Sequence, residues 1–173
     1  MNRTHLRELG AIGRSVFSAA VYALLIVTFV GQVARVEGFS MQPTLEDQDR
    51  LIVDKLSYVI GSPRPGDVVM LRYPAEPTTM YVKRVMAKPG DLVESLNGVV
   101  FVNGVAVPDD YVAAENRSHD DFGPQTIKPG YYFVMGDHRN DSADSRVFGQ
   151  VPEKYIVGKV KLRWWPLHDA KVF

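Results

Sequence analysis

The feature that most constrains this chain is a stretch of twenty residues, 15–34, without one charged side chain. Fifteen of the twenty are apolar. An α-helix rises about 1.5 Å per residue, so a helix of this length is roughly 30 Å long, the thickness of a bilayer's hydrocarbon core. The stretch therefore predicts a membrane-spanning helix over 15–34.

The flanking charges predict the orientation of that span. Residues 1–14 carry three arginines and one glutamate, whereas Arg35 and Glu37 cancel just after the stretch. Positive charge is retained on the cytoplasmic side of a membrane. We therefore expect 1–14 to be a cytoplasmic segment and 35–173 to be an external domain.

Two other interpretations of the stretch fit less well. A cleaved signal peptide has an apolar region of about 7–15 residues and small residues before its cleavage site. Here the apolar run is longer, and Gln32 stands two residues before Ala34. A buried core helix seldom extends for twenty residues without a charge, so a retained anchor is favoured.

Composition excludes several function classes. Twenty basic and twenty acidic residues give no net charge, which opposes a nucleic-acid binder. The absence of cysteine excludes disulfides, thiolate-bound zinc and thiol nucleophiles. The four histidines are scattered and no H-E-x-x-H motif is present, so we expect neither a metal nor another cofactor.

From Val36 onward the pattern changes to a period of two and to short apolar runs, and prolines interrupt it at short intervals. This pattern is typical of strands and leaves no room for a long helix. The external domain is therefore predicted to be all-β, with strands over 51–54, 68–72, 81–87 and 131–135.

Two Asn-Gly pairs predict tight turns, at 97–98 and 103–104. Asn-Gly suits the two-residue type I′ turn because both central residues need positive φ. We therefore expect a meander of three short strands over 91–96, 99–102 and 105–107. The polar segment 109–127 is interpreted as a surface excursion between strands.

Common serine-hydrolase patterns are incomplete in this chain. A G-x-S-x-G motif begins at Gly38, but Gln42 occupies the place of its second glycine. No serine is followed by a lysine three residues on. A Ser-His-Asp triad would have to use His138, and composition alone leaves that alternative open.

Four segments, taken together, resemble bacterial type I signal peptidases. They are 38–45 (GFSMQPTL), 66–69 (GDVV), 81–91 (YVKRVMAKPGD) and 136–149 (GDHRNDSADSRVFG). They follow a membrane anchor in the order found in that family, as in its compact single-span members. The resemblance implies a mainly β fold, shared with self-cleaving repressors. It also implies a serine endopeptidase that removes signal peptides from preproteins after small residues.

The resemblance implies that Ser40 is the nucleophile and Lys83 its general base. A serine hydroxyl is a weak nucleophile until a base takes its proton. Lysine can be that base only when neutral, so its pKa must fall by several units from about 10.4. The neighbours Val82 and Val85 make an apolar, pKa-lowering setting plausible for Lys83.

Five charged residues are implied to form a framework rather than to transfer protons. Arg84 is expected to pair with Asp137. Asp144 and Arg146 are two positions apart, so on a strand they would share a face and could pair likewise. Arg139 is the fifth. Neighbouring residues on a strand point to opposite faces, so Arg84 is expected to point away from the lysine.

The remaining implied site residues concern proton and oxyanion alignment. Ser142 matches the family's serine that hydrogen-bonds the lysine amine. The backbone N–H of Ser40 is one oxyanion donor. Part of the family has a serine hydroxyl where this chain has Gly38, so the second donor is unassigned.

The predicted site lies close to the membrane. Ser40 is six residues beyond Ala34, a reach of about 20 Å even when extended. That placement suits a preprotein whose apolar signal segment is held in the lipid bilayer. Six apolar residues could line shallow pockets or equally belong to the core: Val36, Phe39, Met41, Leu45, Tyr81 and Val82.

The expected location is a bacterial cell membrane, crossed once, with the N-terminus cytoplasmic and the catalytic domain, a monomer, outside. Trp164 and Trp165 either contact the lipid headgroups or belong to the core. The sequence leaves two alternative functions open: a related Ser/Lys self-processing protease and a non-enzymatic anchored β domain. The apolar span and the lack of a helix-turn-helix region oppose the first of these.

Overall fold

A computed structural model describes residues 12–24 and 31–173. Residues 12–24 are helical, and every one of them is exposed. The rest of the described chain is mainly β, which confirms the predicted class. Within the described residues, no helix has both the length and the apolar character needed to cross a membrane.

The end of the predicted span differs from expectation. Residues 31–34 do not continue a helix, because β1 (Gly31–Arg35) pairs antiparallel with β2 (Arg50–Asp54), Gly31 lying opposite Asp54. The edge of β2 satisfies the backbone hydrogen bonds of these residues, which an apolar pattern alone could not reveal. Part of the predicted span, 25–30, lies outside the described residues.

The larger sheet carries the candidate site. Its strands run in the order β1-β2-β11-β3-β4-β9-β10, and β12 pairs with β11. The remaining strands of this sheet are β3 (Val68–Tyr73), β4 (Glu76–Ala87), β9 (Tyr131–Met135), β10 (Val151–Pro152), β11 (Ile156–Trp165) and β12 (Lys171–Val172). Two short helices adjoin it, α1 (Ser57–Ile60) and α2 (Ser145–Phe148). All four strands predicted outside the meander are therefore confirmed, with β4 starting earlier than expected.

The smaller sheet, called the small sheet below, contains the predicted meander. Its strands are β5 (Leu92–Leu96), β6 (Val99–Val102), β7 (Val105–Ala106) and β8 (Phe122–Thr126), in the order β7-β6-β5-β8. Both predicted turns have positive φ throughout: 51° at Asn97, 77° at Gly98, 53° at Asn103 and 79° at Gly104. Type I′ turns are confirmed at both places.

The interpretation of 109–127 as a surface excursion is wrong at its end. Residues Phe122–Thr126 form β8 and pair with β5. The Phe122 ring stacks on Phe133 of β9 with 5.2 Å between ring centroids, so β8 packs an aromatic side chain against the larger sheet. A long-range aromatic contact outweighs the polar composition of the segment. The described residues also contain three short 3₁₀ turns, at Ala114–Asn116, Glu153–Tyr155 and Leu167–Asp169.

Three apolar clusters form the core. One joins β2, β3 and β11 to the segment after β1, one lies between β3, β4 and β9, and one lies under the small sheet. Leu45 belongs to the first cluster and is completely buried. Leu45 lies in the core and is not among the residues that line the cleft beside Ser40.

Candidate active site

The fold brings Ser40 and Lys83 together. Ser40 lies in the turn that follows β1, where the Gln42 N–H donates to the Phe39 carbonyl at 2.9 Å. Lys83 lies in the middle of β4, opposite Val69 of β3. The Lys83 Nζ atom is 2.5 Å from Ser40 Oγ, and the two residues are 43 positions apart in the chain. A hydroxyl and an amine in hydrogen-bond contact meet the first geometric requirement for a nucleophile and its base.

Burial lowers the pKa of Lys83. Only 3% of its surface is exposed. Removal from water disfavours the charged amine and lowers its pKa to about 8, against the raising effect of Asp144, Asp137 and Asp141. Desolvation therefore outweighs the nearby carboxylates, and a substantial part of the amine is neutral near pH 8.

The expected Arg84–Asp137 pair is present. Arg84 donates from Nε to Asp137 Oδ1 at 2.8 Å and from Nη2 to Oδ2 at 2.5 Å. Its Nη1 also donates to the Gly66 carbonyl at 3.0 Å, and the ring of Tyr111 lies 4.0 Å from the guanidinium carbon. Asp137 is completely buried, and its charge is balanced by the two hydrogen bonds from the Arg84 guanidinium. The pair joins β4 to the segment after β9.

The expected Asp144–Arg146 pair is also present, but on a helix rather than a strand. Arg146 donates to Asp144 from Nε at 2.9 Å and from Nη2 at 2.8 Å. Asp144 is the N-cap of α2, accepts from the Arg146 N–H, and accepts from the Gly136 N–H at 3.0 Å. Capping explains why a carboxylate is placed here, since it satisfies free amides at the helix start.

Arg139 is buried and stabilises the segment that follows β9 through two hydrogen bonds. Its Nε donates to the Gly136 carbonyl at 3.0 Å, and its Nη2 donates to the Tyr111 hydroxyl at 3.1 Å. Both contacts hold the segment that follows β9. No contact of Arg139 with Ser40 or Lys83 is found among the described residues.

Ser142 does not make its expected hydrogen bond. Its Oγ is buried and has no hydrogen-bond partner among the described residues. The Lys83 amine is directed at Ser40 instead. Ser142 Oγ and the Ser40 carbonyl both lie so close to Gly136 that a Cβ there would collide with them. Glycine at 136 therefore lets the three segments of the site approach one another.

The turn around Ser40 leaves one amide available. Gly38 has a φ of 94°, and its N–H donates to Asp47 Oδ1 at 2.9 Å. Within the described residues, no hydrogen bond occupies the Ser40 N–H. This amide is free to donate to a negatively charged oxygen at the site.

A cleft of about 510 Å³ adjoins Ser40 and Lys83. Five of the six expected apolar residues line it: Val36, Phe39, Met41, Tyr81 and Val82. Sequence reasoning missed the other apolar wall residues, Ala34, Met70, Met80 and Ala143. Met70 pairs with Val82 across β3 and β4, so only the strand register brings it to the cleft.

His138 contacts the turn that carries Ser40 without contacting the Ser40 hydroxyl. Its Nδ1 lies 3.2 Å from the Phe39 carbonyl oxygen, and its N–H donates to the Ser40 carbonyl at 3.1 Å. Lys83 occupies the position at Ser40 Oγ that a triad histidine would need. The geometry therefore opposes the Ser-His-Asp alternative.

The chain is similar to several known proteins. Residues 9–165 match the family described as "Signal peptidase, peptidase S26". The chain is 38% identical to signal peptidase I of Bacillus amyloliquefaciens over 168 residues, covering 92% of this chain and 86% of the relative. It is 40% identical to signal peptidase I of Bacillus caldolyticus over 162 residues, covering 87% and 88%. The crystal structure of a signal peptidase I from Enterococcus faecalis V583 superposes with a TM-score of 0.51 at 29% identity, covering 58% of this chain and 97% of that one.

Proposed function

This chain belongs to the signal peptidase family, peptidase S26, and we propose that Ser40 and Lys83 are the dyad with which it cleaves signal peptides from preproteins. One observation carries the assignment of the dyad, the 2.5 Å contact between Lys83 Nζ and Ser40 Oγ. The lowered pKa of Lys83 supports it, because a neutral amine can accept the hydroxyl proton.

The first step is acylation. Ser40 Oγ attacks the scissile carbonyl while its proton moves to the neutral Lys83 amine. The carbonyl oxygen becomes negatively charged and accepts a hydrogen bond from the Ser40 N–H. Lys83 then gives its proton to the leaving amine as the peptide bond breaks.

The second step is hydrolysis of the acyl-enzyme. Lys83 is neutral again and takes a proton from a water molecule, whose oxygen attacks the ester carbon. The proton returns to Ser40 Oγ when the ester bond breaks. One amine therefore serves as base and then acid in both steps.

The buried charge pairs keep the dyad aligned. Arg84–Asp137 holds β4, which carries the base, against the segment after β9. Asp144–Arg146 fixes the start of α2 and, through the Gly136 N–H, the same segment. These residues act by positioning and contact neither reacting atom.

The apolar lining of the cleft supports a preference for small substrate side chains. Three of the lining residues, Val36, Met41 and Met70, are almost completely buried. Shallow apolar pockets fit a side chain the size of alanine better than a large one.

We also propose a membrane anchor for the chain. The uncharged stretch supports it, as does the exposure of every helical residue over 12–24, which in water would leave apolar side chains uncovered. Gly31, at the start of β1, pairs with Asp54, the last residue of β2. The helix α1 begins three residues after Asp54, at Ser57. Val59 and Ile60 of α1 are 75% and 90% exposed, so the bilayer lies at this end of the sheet in our proposal.

The dyad is tested by cleavage of one synthetic preprotein peptide with alanine before the scissile bond. Ser40→Ala and Lys83→Ala are each expected to abolish cleavage while the circular dichroism spectrum stays unchanged. Lys88→Ala is the matched control, because Lys88 lies just beyond β4 and is exposed. Full activity in either dyad variant would contradict the proposal.

The anchor is tested by co-sedimentation with phospholipid vesicles. The full chain is expected to sediment with vesicles, and a chain lacking residues 1–30 is expected to lose most of that binding. The deletion stops before Gly31, because removing 31–34 would remove most of β1. Equal binding by both chains would contradict an anchor in the first thirty residues.

A further inference from the structure

We propose that His138 is a positioning residue that orients the peptide bond between Phe39 and Ser40, and so aims the Ser40 N–H at the oxyanion. The inference rests on the proposed function, because it concerns the same acyl-transfer step. It assigns a role to a side chain that the dyad mechanism itself does not use.

His138 contacts two consecutive backbone carbonyls of the turn that carries Ser40. Its Nδ1 is 3.2 Å from the Phe39 carbonyl oxygen. Because a carbonyl oxygen can only accept, Nδ1 carries the proton and donates. The His138 backbone N–H donates to the next carbonyl, that of Ser40, at 3.1 Å.

The geometry of the peptide bond connects the first of these contacts to catalysis. A peptide unit is planar, and in the trans form its C=O and N–H point in opposite directions. The Phe39 carbonyl and the Ser40 N–H belong to one such unit. A donor that fixes the direction of the carbonyl therefore also fixes the direction of the amide.

Two donors meet at the Phe39 carbonyl. The Gln42 N–H donates to it at 2.9 Å from within the turn, and the imidazole of His138 donates from outside the turn. Rotation of the peptide plane would break both hydrogen bonds. Hydrogen bonds at the carbonyl also polarise the peptide unit and strengthen its N–H as a donor.

His138 is itself held on both sides. Asp137, which precedes it, is completely buried and paired with Arg84. Arg139, which follows it, donates to the Gly136 carbonyl at 3.0 Å. The His138 carbonyl accepts from the Asp141 N–H at 3.1 Å. The imidazole therefore projects from a rigid segment, as preorganised oxyanion stabilisation requires.

The test compares three substitutions in the full chain. In His138→Asn the side-chain amide can occupy the place of Nδ1, whereas in His138→Gln it is one carbon too far along, and His138→Leu has no donor. We expect kcat to fall about 10- to 100-fold in the Leu and Gln variants, part of the 10²–10³-fold cost of losing an oxyanion donor. The Asn variant is expected to remain within about threefold of the unsubstituted chain. KM is expected to change little in all three.

A second measurement separates orientation of the amide from general loosening of the turn. A substrate-derived peptide aldehyde adds to Ser40 Oγ, the proton passes to Lys83, and the former carbonyl oxygen accepts from the Ser40 N–H. His138→Leu is expected to weaken the aldehyde by about the same factor as kcat/KM. Binding of the corresponding uncleavable peptide amide is expected to be unchanged.

Each outcome decides the proposal. An unchanged kcat in His138→Leu, or an Asn variant as slow as the Gln variant, would overturn it. Equal weakening of aldehyde and amide would also overturn it, because that result indicates a loosened turn. Ser40→Ala is measured beside these variants: if it cleaves like the unsubstituted chain, the proposed function fails and this inference fails with it. An inactive Ser40→Ala with a fully active His138→Leu removes only the role of His138.

Discussion

In the small sheet, β5, β6 and β7 follow one another directly and are joined by two-residue turns, whereas the dyad joins residues 43 positions apart. The Arg84–Asp137 pair beside the dyad spans 53 positions. Local turn chemistry is enough to build most of the small sheet. The dyad region, meaning Ser40, Lys83 and the two buried charge pairs, exists only when distant segments have packed.

The two regions also treat charge differently. Asp137 and Asp144 are completely buried, and each is paired with an arginine. Asp109 and Arg117, which line the same hollow as Gly98 of the small sheet, form a pair whose side chains are 29% and 46% exposed. Buried charges must be paired to be tolerated, while exposed ones keep their water. The stability of the dyad region therefore depends on keeping each buried aspartate paired with its arginine. The exposed pair beside the small sheet carries no such requirement.

The largest expected effect is on the base. Lys83→Arg should abolish cleavage, a loss of about 10⁴-fold or more, because a guanidinium cannot release its proton to act as base. A matched change in the small sheet, Glu94→Gln, should leave cleavage unchanged. The measurement is kcat/KM on a preprotein peptide. Residual activity close to the unsubstituted value would show that Lys83 is not the base.

The second prediction compares the two kinds of ion pair. Asp137→Asn leaves the Arg84 guanidinium buried without its carboxylate and should lower the free energy of unfolding by about 3–5 kcal/mol. Asp109→Asn should lower it by less than about 1 kcal/mol. Urea unfolding of both variants checks the difference. Equal losses would mean that burial does not distinguish the two pairs.

The third prediction concerns the cost of burying Lys83. Its pKa is lowered from 10.5 to about 8, so the charged amine opposes folding by about 3 kcal/mol below pH 8. Between pH 8 and 10.5 the unfolded chain holds more protons, and this cost disappears as the pH rises. Lys83→Met should therefore be more stable than the unsubstituted chain at pH 7 and lose that advantage by pH 10.5. A difference that stays constant with pH would contradict the lowered pKa.

The fourth prediction follows the same amine in catalysis. Since only the neutral form accepts the Ser40 proton, kcat/KM should rise about tenfold between pH 7 and pH 9, with a midpoint near pH 8. The pH–rate profile of the unsubstituted chain is the measurement. A profile without an acid limb in this range would remove Lys83 from its role.

The smallest expected effect compares two glycines with positive φ. Gly38 and Gly104 have φ of 94° and 79°, and a Cβ would meet open space at both. Gly38→Ser and Gly104→Ala should each cost about 1 kcal/mol of stability, because L-residues are strained there. Only Gly38→Ser should also reduce kcat, since it disturbs the turn that carries Ser40. Thermal melts beside kinetics check this, and a rise in kcat would indicate a new oxyanion donor instead.

Much of the architecture could be predicted from local sequence. Short apolar runs rich in β-branched and aromatic residues, bounded by turn residues, predict β2, β3, β4 and β9. The Asn-Gly pairs predict both turns of the small sheet because few other residues accept positive φ. The four family-like segments indicate Ser40 and Lys83, and the Arg84–Asp137 pair that the resemblance implies is present. The Asp144–Arg146 pair, expected from spacing on a strand, forms at the start of α2 instead.

The rest depends on contacts that no local pattern contains. Whether an apolar residue lines the cleft or fills the core depends on packing, and Leu45 is buried although it lies in the same segment as Phe39, which is exposed. The start of β1, the pairing of β8 and the unpartnered hydroxyl of Ser142 likewise follow from neighbours far along the chain.

The same distinction applies to the chemistry. The sequence by itself determined which residue types could perform acyl transfer, because serine and lysine carry the necessary groups wherever they lie. Only the tertiary structure decided that Lys83 is buried from solvent, which lowers its pKa to about 8, and that His138 reaches the Phe39 carbonyl. Desolvation and hydrogen-bond direction depend on the neighbours of a group in space. Those neighbours come together only when β4 and the segments after β1 and β9 pack against one another.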